Sequence, residues 1–140
     1  MPFAEVQTLG GCPVGLCDGV WMVQLSDVTY RPLEASQSLV TLLQHEPTTF
    51  WATLARDLDA ENLDASAAAA FPLVACVRMG LNWPSEHWQD HALKWVDALD
   101  LGNAVLPELE RLVTEGRTQH LRHRARTLAR RSQRVKDGAT

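Results

Sequence analysis

The chain has 140 residues, 46% of them hydrophobic and 21% charged, which suits one domain of ordinary size with a packed core and excludes a disordered chain. Its formal net charge is −4, an acidic balance that counts against nucleic acid as a partner of the whole surface. No run approaches the roughly 18 apolar residues of a bilayer span, and the start MPFAEVQTLGG lacks the features of a secretory signal; a cytoplasmic setting is therefore expected.

The first thirty residues are rich in strand formers, FAEVQTL and VWMVQLSDVTY, on either side of the turn-rich GGCPVGLCDG. This predicts a small hairpin that buries Trp21, Val23 and Leu25 on one face. From Pro32 onward helical spacing takes over. A first helix is expected over about 34–45 with Leu39, Leu42 and Leu43, and a second over about 47–59 with Phe50, Trp51, Leu54 and Leu58. A third runs from about Asp64 to Met79 and ends at Gly80, with Pro72 inside it predicting a kink or break.

The fourth, about 84–100, carries the stripe Trp88, Ala92, Trp95, Val96 and Leu99. A fifth over about 103–115 buries Val105, Leu109, Leu112 and Val113 before Gly116. The sixth, TQHLRHRARTLARRSQRV, is capped by Thr118 and sets Leu121, Ala125, Leu128, Ser132 and Val135 on one side. Short connections predict antiparallel neighbours. The expected fold is mainly α: about six helices packed as antiparallel helical hairpins, HEAT-like or a bundle, with a short N-terminal β-hairpin. It is read as a single domain over 1–140, with a strand-rich segment 1–30, a helical body 31–135 and a tail 136–140.

The motifs NWPSEHW, ALKWVDAL and RHRARTLARR together resemble the C-terminal half of small bacterial helical proteins of HEAT-like character, over roughly residues 80–134. That resemblance implies a helical fold and brings no activity with it.

Charge is uneven along the chain. Residues 117–140 hold eight Lys/Arg and one acid, a net +7, while residues 1–116 hold five basic and sixteen acidic residues, a net −11. At 100° per residue Arg122, Arg126, Arg130 and Arg134 form one ridge of the last helix, with His123 beside it. Like charges at i,i+4 cost about 0.2 to 0.5 kcal/mol per pair, so a relieving influence is expected. Solvent screening together with the helix C-terminus is one. Phosphate is a second, since arginine grips it bidentately. An acidic protein surface, this protein's own or a partner's, is the third. No aromatic residues interleave with the arginines to stack bases, which weakens nucleic acid as the ligand.

Other constellations carry less. Cys12 and Cys17 lie at the edge of zinc-ligand spacing in an expected loop, and His87 and His91 stand at i,i+4 on a helix, so these four are the candidate metal ligands. The same cysteines are candidates for a small disulfide, which a reducing cytoplasm disfavours. Cys76 reads as a core thiol. HWQDH lacks the glutamate of the zinc-protease motif, GGCPVG is no P-loop, and there is no G-x-S-x-G elbow. The carboxylates of Asp57, Asp59 and Glu61 and of Glu108 and Glu110 read as solvated charges rather than acid/base pairs. Trp83, ahead of Pro84 at a helix entrance, is a candidate interface anchor.

The expectation is thus a cytoplasmic, non-catalytic protein-binding module without cofactors. It uses a basic C-terminal helix and an acidic body, as an inhibitor or immunity-like protein would, with Arg122, Arg126, Arg130, Arg134, His123 and Trp83 as contacts. Nucleic-acid binding by the arginine ridge is the alternative.

Overall fold

The computed structural model describes residues 3–9, 11–64 and 66–138, with the side chains of Thr8, Leu9 and residues 135–138 outside that description. The fold is mainly helical, with a small antiparallel sheet. The chain divides into two compact units, Met1–Leu73 and Val74–Thr140.

The first unit opens with four strands rather than one hairpin: β1 (Ala4–Leu9), β2 (Cys12–Cys17), β3 (Val20–Gln24) and β4 (Tyr30–Pro32), in the order β1-β2-β3-β4. The stretch CPVGLC, expected to be a loop, is β2, one of the two interior strands. The turns lie on either side of it. Cys17 pairs with Val20 across the two-residue turn Asp18-Gly19, both at positive φ (53° and 79°). These are the dihedrals that join a twisted hairpin without splaying it, and Asp-Gly supplies them at little steric cost. Gly15 is needed for another reason. A Cβ there would collide with the Ala4 carbonyl oxygen on β1, beside the register shift between Glu5 and Gln7. The sheet buries Val14, Leu16, Trp21 and Val23. Leu25, expected to continue that face, lies past the end of β3 and is exposed.

After the sheet, Leu33–Ala35 and Gln37–Gln44 are 3₁₀ helices, where an α-helix over 34–45 was expected. The buried residues explain the difference. Leu39/Leu42 and Val40/Leu43 are each three apart, so a helix of three residues per turn stacks both pairs onto the core. Ser36 accepts from the Ser38 amide, and the Thr41 hydroxyl donates to the Ser38 carbonyl at 2.6 Å, which supports the tighter turn.

Helix α1 (Pro47–Ala60) follows, with Pro47 in its first turn and Phe50, Leu54 and Leu58 buried. Trp51, expected on that stripe, is half-buried. The Glu46 carboxylate caps α1 by accepting from the amides of Thr48 (3.2 Å) and Thr49 (2.7 Å). Bonds from the Thr49 and Thr48 side chains, reinforced by those amides, hold its pKa at about 2. Pro72 breaks the expected third helix, leaving a single turn α2 (Ser66–Ala69) and then α3 (Leu73–Asn82). α3 runs past Gly80, the expected end. The indole of Trp21 donates to the Ala67 carbonyl at 2.9 Å and stacks edge-on against Phe71, tying α2 to the sheet.

The second unit contains most of α3 together with α4 (Glu86–Leu99), α5 (Leu106–Glu115) and α6 (Gln119–Gly138). α4 stops at Asp100, which takes a left-handed φ of 54°, and the Leu101 amide returns to the Val96 carbonyl. Its buried face is Gln89, Ala92, Leu93, Trp95 and Val96; Trp88, expected in the core, is half-buried against the rings of His87 and His91. α5 buries Leu109 and Leu112, and Thr118 caps α6 through the Leu121 amide at 3.1 Å. α6 packs on both α4 and α5, burying Leu121, Ala125, Leu128, Ala129 and Ser132. The expectation for Val135 lies outside the described residues, as does the end of the tail at 139–140; α6 itself extends through 136–138. Among the described residues, no helix is long and apolar enough to cross a membrane.

Candidate functional site

α6 carries its arginines on two faces, because the helical period sends neighbouring arginines in different directions. Arg124 and Arg131 are seven apart, about two turns, and share one flank of the buried stripe. Arg124 Nη1 donates to Asp90 Oδ1 at 2.8 Å, and Arg131 Nη1 to Asp97 Oδ1 at 2.6 Å. This flank is occupied by α4. Arg126, Arg130 and Arg134 point elsewhere.

Those three are exposed and, among the described residues, form no ion pair or hydrogen bond through their guanidinium groups. They span eight residues, about 12 Å at 1.5 Å per residue. His123 is exposed on the same helix. Arg122, expected at the start of the ridge, is half-buried; its Nη1 donates to the Gly116 carbonyl at 2.7 Å and closes the end of α5. Trp83 is also half-buried, and its carbonyl accepts from Gln89 Nε2 at 2.9 Å. The arrangement therefore presents three exposed cations in a row, unpaired among the described residues, with a fourth arginine spent on the connection between α5 and α6.

The other sequence candidates are dispersed. Cys12 and Cys17 occupy opposite ends of β2, five residues apart in extended chain, or about 16 Å. Thiolates on one zinc ion each sit about 2.3 Å from it, and a disulfide needs Cα atoms within about 7 Å, so this pair makes neither. The knuckle expected in CPVGLC gives way to strand geometry. His87 and His91 do face each other, with ring centroids 4.6 Å apart at 78°. Partial burial, then the charges of His87 and Lys94, push His91 below the ordinary imidazole pKa against the pull of Asp90. His120, at the start of α6, joins Glu86, His87 and Asp90 around a surface cleft of about 390 Å³. Among the described residues, no three His, Cys, Asp or Glu side chains are grouped so as to hold a metal ion. Cys76 is buried, and burial pushes its thiol pKa far up, the reverse of nucleophile activation.

Two features escaped the sequence reading. One is apolar: Val28 is 87% exposed, with Leu25 and Tyr30 also outside the core, around the β3–β4 connection. Leu25 was expected on the buried face, but the turn residues Ser26 and Asp27 end β3 before it, with the Ser26 hydroxyl oxygen accepting from the Thr29 amide at 3.1 Å. The other is the sorting of the arginines by tertiary pairing, described above. No family model, curated protein or solved structure matches this chain.

Proposed function

We propose that this chain is a non-catalytic protein-binding module whose contact surface is the outer side of α6, and that its partner there is an acidic protein surface. The observation that carries the reading is the division among the arginines: Arg124 and Arg131 are paired within the unit, whereas Arg126, Arg130 and Arg134 stand exposed in an i,i+4 row and form no ion pair among the described residues. Like charges at that spacing repel, so an incoming row of carboxylates gains Coulomb energy and relieves an existing strain at once. His123 and the half-buried Trp83 belong to the proposed contact set, and Arg122 acts mainly by holding the α5–α6 connection.

The proposal includes a cytoplasmic setting and HEAT-like packing of helical hairpins. In support of the latter, α5 and α6 are joined by three residues, and the bonds Arg122–Gly116 near that connection and Gln133–Glu110 farther along trace α6 back over α5. An inhibitor-like role suits the acidic first unit, whose residues 1–73 carry nine carboxylates against two arginines, a net −7.

The test compares proteins captured by the intact chain and by a variant with Arg126→Gln, Arg130→Gln and Arg134→Gln. A partner retained by the first and lost by the second is expected; equal capture by both removes the ridge from the reading. A parallel salt titration with DNA and RNA covers the other ligand class. Binding with a steep salt slope that falls by about two when two ridge arginines are replaced would reassign the surface to phosphate.

A further inference from the structure

We infer that the ridge of Arg126, Arg130 and Arg134 takes a second copy of this chain, which presents the acidic end of α1. This inference rests on the ridge being a protein-binding surface, and it names the occupant.

The two units are electrically opposite. Residues 1–73 have a net charge of −7, whereas residues 74–140 carry eleven Lys/Arg against eight carboxylates, a net +3. Every ion pair among the described residues lies in the second unit. Among those residues the nine carboxylates of the first unit form none, although Glu46 accepts from Thr48 and Thr49 and Asp57 from Gln7. Four of them, Asp57, Asp59, Glu61 and Asp64, crowd the last turn of α1 and the residues after it, and that turn contains no basic residue.

Their position is locally unfavourable. The C-terminal end of a helix carries a partial negative charge that repels carboxylates, and Asp57 and Glu61 stand at i,i+4, where like charges repel further. The arginine ridge has the mirror-image problem at the same spacing. Asp57 itself is half-buried and accepts from Gln7 Nε2 at 3.4 Å, so the acids left to meet the ridge are those that follow it. Asp59, Glu61 and Asp64 are exposed, as are the three arginines. Each surface carries what relieves the other. Both exist at equal concentration wherever this protein exists, which favours a second copy over an unrelated acidic protein.

The contact joins different surfaces on the two copies. It either closes reciprocally, the ridge of each copy on α1 of the other, or propagates head to tail. In both cases it weakens with salt, because exposed ion pairs are screened over about 10 Å at 0.1 M.

The test is sedimentation of the full chain across a concentration series at low and high salt. Three proteins are compared with the unaltered chain: a ridge variant (Arg126→Glu, Arg130→Glu), an α1 variant (Asp59→Lys, Glu61→Lys), and an equimolar mixture of the two. The unaltered chain is expected to associate at low salt, with a dissociation constant at least tenfold weaker at high salt. Each variant alone should sediment as a single chain. Their mixture should associate again, since each variant's intact surface meets its complement on the other. A single-chain mass for the unaltered protein at every concentration and salt overturns the inference, and because that result needs no variant, misfolding cannot obscure it. Association that persists in either variant alone, or fails to return in the mixture, overturns it equally. If a different protein is lost from capture only when the ridge is neutralised while the chain itself stays monomeric, the second copy is excluded and the binding role of the ridge stands.

Discussion

Arg124 on α6 and Asp90 on α4 are joined at 2.8 Å, and seven residues further along both helices Arg131 and Asp97 are joined at 2.6 Å. Equal advance along both partners means that α4 and α6 run in the same direction, with the paired positions two turns apart. Asp90 is the busier carboxylate, since Lys94 approaches its other oxygen at 3.5 Å. The Arg131–Asp97 pair has about half of each side chain in solvent, at 49% and 52%, whereas Arg124–Asp90 is more enclosed, at 24% and 32%.

A double-mutant cycle should separate the two pairs. For Arg131→Gln with Asp97→Asn, the coupling expected from exposed pairs is at the low end of about 0.2 to 1 kcal/mol. Arg124→Gln with Asp90→Asn should reach the upper end, being less screened. Denaturant unfolding at two salt concentrations measures both, and the Arg131–Asp97 coupling should fade more as salt rises.

Much of the helical architecture was legible because it rests on local chemistry. Thr118 at the start of α6, Gly116 at the end of α5 and Pro72 between α2 and α3 act within one turn of where they stand. What failed depended on partners distant in sequence. CPVGLC resembles a loop until β1 and β3 lie on either side of it, although the Asp18-Gly19 pair, a hairpin signal in its own right, marks the true turn. The Leu39 to Leu43 region shows apolar spacing compatible with both three and 3.6 residues per turn, and the core decides. The arginine ridge was legible as a pattern. Which arginines pair within the unit was not, because Asp90 and Asp97 lie 34 residues upstream of the arginines they hold.

Gly102 provides a packing test with a built-in control. A Cβ at that position would collide with the Ser132 hydroxyl oxygen and sit 3.2 Å from the Ser132 Cβ. Gly102→Ala should therefore cost about 1 to 3 kcal/mol, as overpacking does. Ser132 donates to the Leu128 carbonyl at 3.0 Å, so it is not free to swing aside without losing that bond. Adding Ser132→Ala removes the colliding oxygen and leaves the tighter carbon contact. The double variant should regain more than half of the stability lost by Gly102→Ala, and thermal unfolding checks this.

Gly15 should behave differently, because the obstacle is backbone. The Ala4 carbonyl oxygen and carbon and the Glu5 Cα all crowd the place a Cβ would occupy. No side-chain substitution on β1 moves them. Gly15→Ala is expected to cost upward of about 3 kcal/mol by prising β1 from β2, with no rescuing partner among single substitutions. Amide exchange would localise the damage: protection should fall first in β1 and in the β2 residues that pair with it.

His91 predicts how stability depends on pH. Partial burial and the neighbouring charges of His87 and Lys94 set its folded pKa below the ordinary value, with Asp90 pulling the other way. A group lowered in the folded state contributes its full stability above the unfolded pKa, near 6.5, and loses it as pH falls toward the folded value. Unfolding midpoints should therefore decline between about pH 7 and the folded pKa, and His91→Gln should flatten that decline. Asp90→Asn removes the one influence that raises the His91 pKa, so it should steepen the same decline as well as loosening Arg124. Following the His91 ring protons by NMR through the titration assigns the effect. An apparent pKa at or above that of an exposed imidazole would show that the ring is not desolvated, and the stability change would then have to come from another group.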